Sequence, residues 1–302
     1  MSKFFKKVYL LIRQTIRAFQ ENDAVIYAAA IAFFTVFSLP SVLIIIVKVL
    51  GSFISQAQVQ ENLAMQMEEL IDPARAGEIL SIIEKSNLRE SGTLLSIISI
   101  IFLLVSATVI FTIVQKALNS IWRVKPRSKI SVRKFAKDRL LSFSMIILLG
   151  FLMLVSLLLE ALLSIANDYL PFFFSDYTVY FLETGNYIIS ILLISIIFTL
   201  TFKFLPDAKI RWKDAGVGAV VTSILFTLGK LLISFMLSNT NITSAYGAAG
   251  SLAGILIWVF YSSLIVLIGA MFTNVYAANI GREIRPRKYS VRVETKEIEL
   301  DE

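Results

Sequence analysis

The sequence predicts an all-α polytopic membrane protein with six transmembrane helices, both termini on the inner side, and a short outer helical cap between helices 1 and 2. Three observations lead there. The chain is 57% hydrophobic and 17% charged, with a mean hydropathy of +0.76, whereas a soluble domain carries about 25% charged residues. The missing charge leaves long apolar blocks, and a bilayer core about 30 Å thick asks for roughly 20 such residues per helix. Lys and Arg, finally, gather on one side of the resulting pattern.

Residues 1–23 come first. Phe4, Phe5, Val8, Leu11, Ile12 and Phe19 recur at helical spacing opposite Lys6, Lys7, Arg13 and Arg17, which describes an amphipathic helix lying in the membrane interface. The same charges interrupt any apolar run, and no small-residue cleavage pattern follows, so the segment is not read as a cleaved signal. The transmembrane domain is placed at 24–281, with spans at about 24–50, 91–121, 140–166, 184–202, 215–237 and 247–276. Leu231–Gly281 carries no charge, and the polar stretch Asn239–Tyr246 divides it between the last two spans. Residues 282–302 are expected to form a charged tail.

Two outer segments complete the plan. Val59, Leu63, Met67 and Leu70 recur every three or four residues, and Asp72-Pro73 reads as an N-cap followed by proline at the first helical position. These make the outer cap. Asp168–Tyr187 combines three acids with Tyr169, Phe172, Phe173, Phe174, Tyr177, Tyr180 and Phe181, as expected of a segment lying in the interface.

Orientation follows from the basic residues flanking the spans. The N-terminus, the Arg123–Arg139 loop, the Lys203–Asp214 loop and the tail hold 23 of them, against four on the other side. The richer side is read as cytoplasmic. The net charge of +7 is therefore a topology signal with attraction to anionic lipid as a second effect. Nucleic acid is not an expected partner, membrane lipids are, and a homo-oligomer is compatible with the small-residue helix faces.

There is no cysteine and no histidine. This excludes disulfides, the usual zinc, haem and iron–sulfur ligand sets, and nucleophile–histidine catalysis. No cofactor or metal is expected, although carboxylate-only metal sites are not excluded by composition.

Charges at membrane depth cost at least ~2.5 kcal/mol near the bilayer centre and so point to function or pairing. Glu160 on the third span and Lys230 on the fifth reach similar depths, Lys230 about 22 Å along its span. They are candidates for an interhelical ion pair. Gly216, Ala219, Ser223, Thr227, Lys230 and Ser234 fall on one helix face, as do Thr108, Thr112, Gln115 and Asn119. Such faces turn toward other helices or a hydrated path rather than toward lipid. Pro40 lies inside the first span, where Ser38 and Thr35 are placed to satisfy the groups it frees. The transport or gating candidates are thus Glu160, Lys230, Ser38, Pro40, Thr227 and Ser223. Close helix packing is expected at Gly216, Gly218, Gly247, Gly250 and Gly254.

A series of motifs carries a resemblance. Asp23 precedes Tyr27-Ala28-Ala29-Ala30-Ile31-Ala32-Phe33-Phe34, and Asn119-Ser120-Ile121-Trp122 ends the second span. Phe204-Leu205-Pro206 precedes Arg211-Trp212. The last span opens at Gly247-Ala248-Ala249-Gly250, contains Trp258 and Tyr261, and closes on Gly269-Ala270-Met271-Phe272-Thr273. Over nearly the whole chain this resembles the YihY/virulence factor BrkB family of inner-membrane proteins. Asp23, Phe33, Pro206, Trp212, Trp258 and Tyr261 are the motif positions. The resemblance implies a multi-pass protein of the bacterial plasma membrane. Some members carry the label ribonuclease BN, which looks like a misassignment, and others are connected with transport or envelope lipid. Met271 departs from the pattern, because relatives commonly have a glutamate there.

The leading functional expectation is a transporter or lipid translocator. The alternative is a non-transporting scaffold or envelope assembly factor. An enzyme of ribonuclease type ranks third, since Asp138, Asp207 and Asp214 form no cluster for two-metal chemistry. No residue is assigned a catalytic role.

Overall fold

The computed structural model describes residues 3–50, 55, 58, 93–127, 140, 144, 177–238 and 248–294. These form six helices and four short strands, in the order α1 (Lys3–Glu21), α2 (Ala24–Leu50), α3 (Thr93–Ile121), β1 (Val124–Pro126), α4 (Tyr177–Phe204), β2 (Ala208–Lys209), α5 (Trp212–Ser238), α6 (Ala248–Asn279), β3 (Arg285–Pro286) and β4 (Ser290–Arg292). The outer cap lies outside the described residues, as does the third span apart from Leu140 and Ser144. Trp212–Leu232 and Ala253–Asn279 are apolar and long enough to cross a membrane, while Ala24–Ser38, Thr108–Ile121 and Ile188–Phe204 are shorter apolar stretches.

Helix bounds follow local chemistry. Asp23 opens α2 by accepting the Tyr27 N–H on its carbonyl at 3.0 Å. The helix continues through Pro40. Ser38 Oγ donates to the Thr35 carbonyl at 2.8 Å rather than to Val36, whose carbonyl loses its partner at the proline. α4 starts at Tyr177, seven residues before the expected span, so part of the aromatic segment is helical and continuous with it. Part of the charged segment 282–302 is regular in structure. Its first half supplies β3 and β4, which pair antiparallel with β2 and β1.

The polarity of α5 is inverted relative to a water-soluble helix. Its buried positions include Ala215, Gly218, Ala219, Thr222, Ser223 and Gly229, all small or hydroxylated. Its exposed positions include Val220, Ile224, Leu228, Leu231, Leu232 and Phe235. In α2, Ala24, Ala28 and Ala32 are buried while Val25, Ile26, Phe33 and Phe37 are exposed. Large apolar groups outside and small groups between helices are favourable in lipid, where close approach replaces the hydrophobic effect as the packing force.

The chain forms two compact units. One comprises Met1–Asn22, Gln115–Leu225 and Val266–Glu302. Its core holds Leu118, Trp122, Phe202, Leu267 and Met271, with Trp122 packed edge-on to Phe202 at 6.3 Å. In this unit α1 buries Leu11 and Thr15, while Gln14 bonds Asn279 and Glu21 meets Arg123. The other unit comprises Asp23–Val114 and Phe226–Ile265, with Ala28, Ile31, Val36, Ile255 and Val259 in its core.

Candidate functional site

In the first unit, two buried carboxylates organise the segments that leave the helices. Asp207 follows α4 through Leu205-Pro206 and is 2% exposed. Its N–H donates to Asn119 Oδ1 at 2.8 Å, and Asn119 Nδ2 donates to Asp207 Oδ2 at 2.9 Å. The Asp207 carbonyl accepts Ser290 Oγ at 2.6 Å and the Arg287 N–H at 3.1 Å. Arg287 then reaches the end of α4, donating to the carbonyls of Lys203, Phe204 and Ala208 at 3.1–3.3 Å. The last carbonyls of a helix have no partner within it, so a guanidinium at that end satisfies both the bonding and the helix dipole.

Asp214, in the first turn of α5, is 1% exposed. Arg211 holds it in a bidentate pair at 2.9 and 3.0 Å, and the Arg282 N–H adds a third bond at 3.3 Å. A Cβ at Gly281 would lie 2.5 Å from its Oδ1, which explains glycine at the exit of α6. The bond to Asp214 raises the Arg211 pKa further above neutrality. The Arg292 hydrogen bond holds the exposed Glu283 carboxyl below its usual range. Asn274 and Trp122 complete the junction by donating to the carbonyls of Ile121 and Ala270. Together Asn119, Asp207, Arg287 and Ser290 make a clasp, with β1–β4 and β2–β3 as its two sides.

A seam between α5 and α6 runs through the same unit. Thr222 Oγ1 donates to the Gly218 carbonyl at 2.7 Å, and Thr273 Oγ1 to the Gly269 carbonyl at 2.7 Å. Each threonine then lies against the other helix's glycine. A Cβ at Gly218 would fall 1.8 Å from Thr273 Oγ1, and one at Gly269 would fall 1.9 Å from Thr222 Oγ1. The arrangement is reciprocal, antiparallel and dry, because both hydroxyls are satisfied within their own helices. In the second unit, a Cβ at Gly229 would lie 2.4 Å from Ile265 Cδ1 and 2.9 Å from Tyr261 Cε1.

The expected site residues distribute as follows. Ser223 is buried and lies 2.6 Å from Ser195 of α4, hydroxyl to hydroxyl. One of them must donate to the other, leaving only one to bond its own helix. Lys230 and Thr227 are half-buried on α5. Glu160 lies outside the described residues, and with it the proposed ion pair. Gly247 is outside them as well, and so are the surroundings of Gly250, whereas Gly254 is buried. Gly216 differs from Gly218: a Cβ there meets nothing within 4 Å. Two residues are 200° apart around a helix, so both cannot face one partner. Thr112 is exposed, with its hydroxyl on the Thr108 carbonyl at 2.7 Å. Among the motif residues, Pro206 is buried, Asp23, Phe33 and Trp212 are exposed, and Trp258 and Tyr261 are half-buried. Met271 is fully buried. Among the described residues no group of acidic side chains could hold a metal ion.

Sequence reasoning missed Thr222, Thr273, Arg287 and Ser290. The repeated Gly-x-x-x-Thr of Gly218–Thr222 and Gly269–Thr273 was a readable signal for the seam; a lone arginine in a basic tail gave none for the clasp.

An inverted-polarity helical protein with small-residue seams is an integral membrane protein. Comparison with known proteins gives the family: residues 15–294 match the virulence factor BrkB family, and the chain belongs to it. A UPF0761 membrane protein of Coxiella burnetii is 28% identical over 292 residues, covering 95% of this chain and 98% of the relative. UPF0761 membrane proteins of Nitrosospira multiformis and Paraburkholderia xenovorans are 26% and 27% identical over 85% and 86% of this chain, each matched over 58% of its own length. No solved structure matches the chain.

Proposed function

We propose that the protein is a six-span transporter or lipid translocator of the bacterial plasma membrane, with both termini cytoplasmic and α1 lying in the inner interface. One observation carries the transport reading. Ser223, Thr227 and Lys230 continue along one side of α5, buried or half-buried, in a helix whose other positions expose large apolar groups. Lys230 is 18 residues into α5, about 27 Å along it, where an ammonium group is retained against its insertion cost. A polar line at that depth supports a path for a polar solute or a lipid headgroup. The orientation rests on the 23-to-four division of basic residues.

The test is reconstitution into liposomes with assays of labelled-phospholipid scrambling and of solute flux. Wild-type protein should accelerate one of them, and folded Lys230→Met protein reconstituted at equal density should not. Wild-type vesicles indistinguishable from protein-free ones would refute the proposal.

The second reading is a scaffold for envelope assembly, favoured by the clasp, which holds basic segments in a fixed arrangement suited to docking. Charge reversal at exposed Lys125 and Arg127 that abolishes cellular function without any transport signal would support it. The ribonuclease reading draws no support from Asp207 and Asp214, both of which are engaged by neighbours in the fold.

A further inference from the structure

We infer that the α4–α5 junction is a binding site for the phosphodiester headgroup of an anionic phospholipid, formed by Lys203 and Arg287 beside the Phe204–Trp212 aromatic pair. The inference rests on the membrane-spanning nature of α4 and α5 and not on transport.

Lys203 is the last cation of α4. Its ammonium group donates to the Ile210 carbonyl and sits 5.3 Å from the centre of the Trp212 ring. Arg287 approaches from the C-terminal segment and donates to the Lys203 carbonyl at 3.2 Å, which brings two cations to one helix end. Its remaining bonds go to the carbonyls of Phe204 and Ala208 and to the Tyr289 hydroxyl. Among the described residues, neither cation meets a carboxylate. Two like charges are thus held together by neutral acceptors and an aromatic face. That arrangement favours an anion joining it, and among the described residues it leaves two ammonium N–H groups and one guanidinium N–H without an acceptor.

The depth is that of a headgroup. Trp212 is 54% exposed and Phe204 39%, and they pack edge to face at 5.7 Å at the ends of two apolar helices. Tryptophan so placed marks the membrane–water boundary, and its ring offers apolar surface to the glycerol and upper acyl region. Nearby Asp214 adds no competing anion, because Arg211 already neutralises it. A lipid phosphate is favoured over a free anion by the exposed aromatic pair, which a soluble phosphate would not use.

The experiment is native mass spectrometry of the purified protein in detergent with equal amounts of phosphatidylglycerol and phosphatidylcholine. Wild type should retain phosphatidylglycerol in preference to phosphatidylcholine. Lys203→Gln should reduce that retention about fivefold, the effect of one basic side chain at a membrane surface, and Lys203→Arg should restore it. Trp212→Leu keeps the clasp and most of the apolar bulk, and should also lower retention with an unchanged melting temperature. Equal retention of the two lipids by wild type would overturn the proposal. So would wild-type retention in both Lys203→Gln and Trp212→Leu, or an equal loss in Lys213→Gln, which would indicate diffuse surface charge. Displacement of the lipid by equimolar glycerol phosphate would assign the site to a free anion and overturn it as well.

Discussion

Replacing Gly218 by alanine should weaken the protein, while the same change two residues earlier should not. The new Cβ would lie 1.8 Å from Thr273 Oγ1, 2.7 Å from its Cβ and 2.9 Å from its Cγ2. Rotating Thr273 cannot relieve this. Its Cβ is fixed to the α6 backbone, and turning the hydroxyl away breaks its 2.7 Å bond to the Gly269 carbonyl. The helices must separate instead, and overpacking of this kind costs about 1–3 kcal/mol. Alanine also favours a helix over glycine by up to about 1 kcal/mol, which would mask part of the loss. Gly216→Ala carries that same gain without any clash, since nothing lies within 4 Å. The difference between the two variants therefore isolates the seam, at roughly 1–3 kcal/mol. Reversible unfolding of both proteins in mixed micelles with increasing denaturing detergent measures it. Gly269→Ala should behave like Gly218→Ala, because its Cβ meets Thr222 in the same way. Equal stability of Gly216→Ala and Gly218→Ala would refute the close-packed seam.

Asn119→Ala removes two hydrogen bonds from buried Asp207 and should cost about 1–3 kcal/mol; limited proteolysis should then cut within 282–294 faster, and unchanged cleavage would mean the clasp contributes nothing. Met271→Glu places a carboxyl at a fully buried position, and should lower the melting temperature at pH 8 more than at pH 5, because the charged carboxylate is the costly form there; a stable, pH-insensitive variant would point to a polar surrounding. Cysteine at exposed Lys209 should react with a membrane-impermeant maleimide only in broken cells, and cysteine at Asp176 in intact ones, with the opposite pattern reversing the orientation. Glu160→Gln and Lys230→Met should each destabilise, with the double variant recovering much of the loss if they pair; strictly additive losses would mean that they do not meet.

Legibility followed the length scale of the signal. The start of α2 at Ala24 is readable because Asp23 borders a long apolar run, whereas the start of α6 is signalled only by the polar stretch Asn239–Tyr246 inside an uncharged block. Hydropathy marks where lipid should be, not where helical hydrogen bonding stops, so the turns of α4 from Tyr177 to Gly185 carry an aromatic pattern that fits an interfacial segment equally well. The strands were hidden because a pairing of two or three residues leaves no period. Val291 and Val293 alternate with charges in a stretch whose basic residues dominated the reading. The packing glycines were visible as residue types, but facing is a property of the partner. Only the position of Thr273 separates Gly218, in contact, from Gly216, in open space.

The clasp also fixes an order of assembly. β1 pairs with β4 so that Val124 meets Arg292, 168 residues later in the chain. A ribosome must therefore deliver α4, α5 and α6 to the membrane before the pairing groups of β1 and β2 find their partners. Contacts of such sequence separation form late, since the intervening chain must first be ordered. Until then the Lys203 and Phe204 carbonyls lack their arginine, and the last loop bonds of the α4–α5 turn stay open to water. A chain halted or cut before residue 285 would insert its helices yet leave these edges unpaired, a distinguishable state for proteases that survey the membrane surface. Pairing of the 285–292 segment thus closes edges that the helices before it leave open.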